Sequence, residues 1–143
     1  WSSDVCSSDL VIVAATRKGR HEFMVGARVD PVFGPVVVVG DGGKNVEALK
    51  DCAVLLPPFS QEEVVRALGT LRIAPLLGGV RGDPPLDVQA LAGIAVAVGQ
   101  VIAGAGGTIA SIDLNPVMVG AEGDGAIVVD ALVECAAMPE HIR

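Results

Sequence analysis

Aromatic residues are nearly missing from this sequence: there is no tyrosine, and phenylalanine and tryptophan together make up 3% of its 143 residues. Single-stranded nucleic acid is held on aromatic stacking platforms, and few could be built here. Positive charge is also short. Lysine and arginine number 10 against 17 aspartates and glutamates, a formal net charge of −7 that repels a phosphate backbone. No nucleic-acid partner is therefore expected. A small phosphorylated ligand remains compatible, because a divalent cation can stand between carboxylates and phosphates.

Cysteine chemistry is thin too. Cys6, Cys52 and Cys135 show neither CxxC spacing nor a nearby histidine pair, so neither zinc nor a disulfide framework is indicated. Unpaired cysteines and no secretory leader make a reducing, cytoplasmic setting the expectation. No residue between Asp87 and Asp113 is charged, a run long enough to span a bilayer. However, Gln89, Gln100, Thr108 and Ser111 interrupt it, and Gly104-Ala105-Gly106-Gly107 breaks it. Leu91, Ile94, Val98, Val101 and Ile102 recur at helical spacing, which predicts a helix packed on a sheet and no membrane partner.

The chain also lacks an initiator methionine. Its first ten residues, WSSDVCSSDL, resemble the translation of a sequencing-library adapter and change abruptly into VIVAA. Residues 1–10 are expected to be an adapter-derived artefact, and the chain a fragment of a reading frame truncated upstream. Without Asp4 and Asp9 the formal charge moves from −7 to −5. One partial domain is expected over 11–135, with a frayed tail over 136–143. A composition of 51% hydrophobic and 19% charged residues suits a packed core.

Residues 11–15 read as a buried strand. Residues 22–29 alternate as a strand with Phe23, Val25 and Ala27 on one face, and 36–39 form a β-branched run suited to a central strand. Gly40-Asp41-Gly42-Gly43 reads as a flexible turn, followed by extended segments over 45–49 and 53–56. Ser60-Gln61-Glu62-Glu63 is a capping box opening a helix with Val64, Val65, Leu68 and Leu71 on its apolar face. A Pro- and Gly-rich connection over 75–85 leads to a second helix capped by Asp87. Two strands over 109–119 and 126–133 close around residues 120–125. Consecutive strands with inserted helices predict an α+β fold, an antiparallel sheet with packed helices, rather than βαβ winding.

The last hairpin holds the most informative local pattern. Asp113 and Asn115 are two apart and so project from one face of a strand. Symmetric closure over 120–125 pairs Val119 with Ala126, Val117 with Val128, and Asn115 with Asp130. Directly opposed residues share a face, with Cβ atoms roughly 4.5–5.5 Å apart, and a one-residue slip would turn Asp130 to the other side. Three oxygen-bearing side chains on one face suit magnesium, which takes one or two carboxylates and completes its shell with water and phosphate. The same residues also read as strand-end turn formers and a solvated strand terminus, so spacing alone leaves both readings open.

The string Asp113-Leu114-Asn115-Pro116, with Asp130 downstream, resembles the metal-binding hairpin of the ATP-grasp superfamily. The nearest likeness is to the nucleotide-binding domain of succinyl-CoA synthetase and the ADP-forming acetyl-CoA synthetases. Other motifs agree in order: a strand beginning with Glu22 and ending with Asp30; Asp30-Pro31-Val32-Phe33-Gly34-Pro35-Val36-Val37; Gly40-Asp41-Gly42-Gly43 with Glu47 and Lys50-Asp51; and Leu76-Leu77-Gly78-Gly79-Val80-Arg81-Gly82 with Pro84-Pro85 and Asp87. Lys44-Asn45 departs from the apolar pair expected after the double glycine. The resemblance spans residues 11–134.

It implies the carboxy-terminal half of an ATP-grasp domain from an acid–thiol ligase, with ATP/ADP and Mg2+ as cofactors. Asn115 and Asp130 would be the magnesium ligands, and Asp113 would support the ion or its water. Glu47 and Arg81 line up with motif positions and are candidate cofactor-binding residues. Glu22 carries no assigned role. Arg28 reads as a solvated strand charge, Gly42 and Gly43 as a plain turn, and His21 and His141 as ordinary surface residues. CoA and a carboxylic acid would be handled by other domains of the parent or by a CoA-binding subunit, and the adenine pocket by an upstream half. The competing expectations are a regulatory module fused to an acetyltransferase, without ligase activity, and a purely structural subunit without metal dependence.

Overall fold

The computed structural model describes residues 19–42 and 51–136. The strands expected over 11–15 and 45–49, the tail beyond Ala136, and Cys6, Gly43, Lys44, Asn45, Glu47 and His141 lie outside the described residues. The described chain runs β1 (His21–Asp30), β2 (Gly34–Asp41), β3 (Cys52–Leu55), α1 (Gln61–Leu68), a short α2 (Ala74–Leu77), α3 (Val88–Gly104), β4 (Ile109–Val119), β5 (Ala126–Val128) and β6 (Ala131–Cys135). The strands make one antiparallel sheet in the order β3-β2-β1-β4-β5, with β6 also paired to β4. This is the α+β arrangement expected from the sequence.

One face of the sheet carries the core. Phe23, Val25 and Ala27 of β1 are all buried, as their alternation predicts, beside Val37 and Val39 of β2 and Ile112, Leu114, Val117 and Val119 of β4. Helix α3 lies across this face against β1, β2 and β4, and α1 packs on α3. Fully burying side chains of this size stabilises by about 1.5–3 kcal/mol each. The contact face of α3 differs from the predicted stripe. Leu91, Val98 and Ile102 are buried, but Ala92, Ala95 and Gly99 complete the face while Val101 points outward at 51% exposure. Small residues allow close packing, as at Gly99, where an added Cβ would stand 3.1 Å from the Phe59 ring, and no periodicity count favours them over a valine.

Local chemistry sets the element ends. Ser60 Oγ accepts from the Glu63 amide at 3.3 Å and Glu63 Oε2 accepts from the Ser60 amide at 2.7 Å, the reciprocal capping box expected at α1. Asp51 receives the Arg72 and Ile73 amides, both at 2.9 Å, at the entry to α2. That short helix was not anticipated within the connection. Gly40 and Asp41 finish β2 instead of forming a turn. A Cβ on Gly40 would stand 2.7 Å from Cys52 Cα, so only glycine allows β3 to approach there. The expected strand over 126–133 is split, since Val129 and Asp130 fall between β5 and β6.

Candidate functional site

The second face of the sheet has no helix among the described residues. On β4 the alternation puts Ile112 and Leu114 into the core and leaves Asp113 and Asn115 exposed on the opposite side. Met24, Gly26 and Arg28 of β1 share that open face, because Asp113 pairs with Gly26 and Ser111 with Arg28. Glycine at position 26 leaves the surface beside Asp113 unobstructed by a side chain.

An irregularity then reorders the strand. Val25 pairs with Leu114 but Phe23 pairs with Val117, so two steps along β1 match three along β4. The extra residue falls at Asn115-Pro116, and proline has no N–H to give to the ladder. Such a bulge re-aims the side chains around it. Here it returns Val117 and Val119 to the core while Asn115 stays outside.

The partner strand follows without slipping. Val119 opposes Ala126 and Val117 opposes Val128, as predicted; beyond the irregularity Leu114 opposes Ala131 and Asp113 opposes Leu132. From Ser111 to Val119 the register is the same in both segments, which sets Asn115 opposite Asp130. The Asn115 amide donates to the Asp130 carbonyl at 3.3 Å, and the Val129 amide to the Pro116 carbonyl at 3.0 Å. Asp130 turns Oδ1 onto the Ala131 amide at 2.8 Å. The structure therefore gathers Asp113, Asn115 and Asp130 on one exposed stretch of hairpin. No group of three His, Cys, Asp or Glu residues forms a metal cage among the described residues. Two carboxylates and an amide, all oxygen donors and all accessible, instead fit a hard cation that keeps most of its shell for water and phosphate.

Other candidates are placed elsewhere. Arg81 stands on the exposed loop between α2 and α3 with φ of +57°, and no hydrogen bond or ion pair among the described residues ties it to the hairpin. That loop is drawn to the start of β1 by Arg20, whose guanidinium lies 2.6 Å from Asp83. Glu22 is exposed at the start of β1, its carbonyl accepting from the Gly42 amide at 2.9 Å. Arg28 is 70% exposed and 3.6 Å from Asp30, a solvated charge as expected. His21 is more than a surface residue. Its Nε2 lies 2.7 Å from Asp41 Oδ1 and its ring stands edge-on to Phe23 with centroids 5.0 Å apart, joining the ends of β1 and β2.

Sequence reasoning also missed half of Asp87. Oδ1 caps α3 by accepting from the Ala90 amide at 3.0 Å, while Oδ2 accepts from the amides of Gly123 and Gly125, each at 3.0 Å, in the turn between β4 and β5. The Ala90 amide does most to hold this carboxyl below the ordinary aspartate range; partial burial pulls the other way, and the two glycine amides reinforce the lowering. The only signal in the sequence was an aspartate preceding a helix and a glycine-rich turn far downstream.

An ATP-grasp domain profile matches residues 6–135. The chain belongs to the ATP-grasp domain family. Within it, the relatives include ADP-forming acetate–CoA ligases. The chain is 44% identical over 125 residues to a trans-feruloyl-CoA synthase from an unknown prokaryotic organism, covering 87% of this chain and 18% of that protein. It is 33% identical over 123 residues to the beta subunit of an ADP-forming acetate–CoA ligase II from Pyrococcus furiosus, covering 86% of this chain and 52% of that subunit. A dinucleotide-forming acetyl-coenzyme A synthetase 1 from Ca. Korarchaeum cryptofilum, solved with coenzyme A and Mg-AMPPCP, superposes with a TM-score of 0.76 at 31% identity, covering 85% of this chain and 55% of that one. This ATP-grasp segment thus spans about half the length of the shorter relatives and about a fifth of the longer one.

Proposed function

We propose that this ATP-grasp segment supplies the magnesium–phosphate end of the nucleotide site in an ADP-forming acyl-CoA ligase. The observation that carries the proposal is the opposition of Asn115 and Asp130 in a register that is the same on both sides of the β5–β6 break. In this reading the Asn115 amide oxygen and the Asp130 carboxylate are the ligands, and Asp113, two residues along the same face, orients the ion's water. Magnesium would neutralise charge on the phosphates during phosphoryl transfer. The residues themselves contribute position: a paired ladder fixes both backbones before the nucleotide arrives, so little reorganisation is needed when it binds. Support comes from the relatives, which are ligases of this class, and from the acetyl-CoA synthetase structure bearing Mg-AMPPCP. Glu47 and Arg81 are proposed nucleotide contacts on their motif positions, and coenzyme A and the carboxylic acid are assigned to other parts of the parent.

Titrating magnesium into the full-length protein tests this. Asn115→Ala and Asp130→Ala should each raise the magnesium needed for nucleotide binding and turnover by about 10-fold or more, the loss typical of groups at a metal site. Unchanged magnesium dependence in both variants would remove the metal assignment. The segment alone should bind nucleotide weakly and turn over nothing, and vigorous ligase activity from it would contradict the division of labour.

A further inference from the structure

The opposition of Asn115 and Asp130 depends on a register that β5 and β6 pairs hold on either side, while the two residues themselves lie at the gap between those strands. Around the β5–β6 break the ladder has the Asn115-to-Asp130 and Val129-to-Pro116 bonds, at 3.3 and 3.0 Å. The glycine-rich turn over 120–125 ties itself only from Gly120 to Gly125 at 2.9 Å and from Asp124 to Ala121 at 2.8 Å. A flexible turn of this length specifies register weakly.

The segment leading into α3 adds an anchor for that turn. The Asp87 amide donates to the Gly120 carbonyl at 3.0 Å, and the Glu122 amide to the Pro85 carbonyl at 2.9 Å. Asp87 Oδ2 then gathers the Gly123 and Gly125 amides. Those glycines have φ of +88° and +82°, a backbone region that side chains disfavour, and it is this that lets the turn present both amides to one oxygen. Oδ1 is committed to α3, whose first turns are clamped on the core through fully buried Leu91 and Ala92. One carboxylate therefore joins a fixed helix to an adjustable turn.

We propose that Asp87 is a positioning residue for the candidate metal pair: by anchoring the 120–125 turn to α3, it maintains the register that sets Asn115 opposite Asp130. This rests on the function proposed above. The two oxygens have separable tasks, so they can be separated by substitution. Asp87→Ser keeps a side-chain acceptor for the helix cap and removes the oxygen that holds the turn. Asp87→Asn keeps the size and the cap but presents an amide nitrogen or a single carbonyl oxygen, so it cannot serve both ends.

The experiment is a magnesium titration of nucleotide-dependent turnover in the full-length protein, with amide hydrogen exchange on the same samples. In Asp87→Ser the magnesium requirement should rise roughly 10-fold, the low end of the loss when groups supporting metal ligands are removed, and saturating magnesium should restore turnover. Exchange should quicken at Gly123, Gly125 and residues 127–131 while the amides of α3 stay protected. A lower melting temperature with an unmoved magnesium requirement would make Asp87 a helix cap alone and overturn the proposal. The proposal is equally overturned if Asn115→Ala shifts the requirement and Asp87→Ser does not, and the metal reading then survives. If neither Asn115→Ala nor Asp130→Ala shifts it, the metal reading fails and takes this proposal with it. Should Asp87→Ser not fold, Asp87→Asn carries the same comparison.

Discussion

The two faces of β4 put neighbouring residues to opposite uses. Ile112 and Leu114 are 6% and 9% exposed beneath α3, whereas Asp113 and Asn115, interleaved with them, are exposed on a face that no described helix covers. The covered face is apolar from strand to strand and follows area burial. The open face mixes carboxylates, an amide, an arginine and a glycine with fewer apolar residues, among them Met24 and Val36. The difference teaches that stability and ligand chemistry on β4 are separable by parity, with the irregularity at Asn115-Pro116 returning Val117 and Val119 to the core beyond it.

That separation can be broken most severely from the covered side. Phe23→Ala empties a fully buried position and should cost about 3–5 kcal/mol, a large share of what an ordinary domain has; urea unfolding will read it, and a loss under about 1 kcal/mol would mean the core is arranged differently. Ile112→Val, on the same face of β4, should cost about 0.5–1.5 kcal/mol by the same measurement.

Acidity sharpens the comparison at the hairpin turn. Because hydrogen bonds, that of the Ala90 amide foremost, lower the folded-state pKa of Asp87 below its unfolded value, its stabilisation is present above the unfolded pKa. It is lost as pH falls through the folded one, and across that window the unfolded chain holds more protons, so stability rises with pH. Unfolding midpoints measured on descending from the ordinary aspartate range should fall less steeply in Asp87→Ser than in the unaltered protein; parallel slopes would show that the carboxylate adds no such dependence. The smallest effect on folding belongs to the open face. Asn115→Ala should alter stability by no more than about 0.5 kcal/mol while changing the magnesium requirement, and a large melting shift would place Asn115 in the fold's support instead.

Much of this was legible from local pattern. Alternation identified the buried side of β1, a capping box fixed the start of α1, and symmetric closure around 120–125 gave the pairs Val119–Ala126 and Val117–Val128. Each depends on residues close in sequence or on a short turn. What escaped depends on distance or on space. The second oxygen of Asp87 reaches amides 36 and 38 residues away, and Asp41 meets His21 across 20. Ala92, Ala95 and Gly99 complete the buried face of α3, Gly99 with Phe59 and Pro57 close against it, a condition visible only once the elements are packed. For Glu47, no geometry enters the described residues.

The extra residue in β4 carries a consequence for how this segment can vary. Side chains from Asp113 to Pro116 can be exchanged one for another, but their number is constrained. Removing one would leave two steps facing two along β1, with Leu114 and Val117 still turned to the core, but only two facing the three from Val128 to Ala131 on the other side, so the opposition of Asn115 and Asp130 would be lost. In this stretch arithmetic is less forgiving than chemistry.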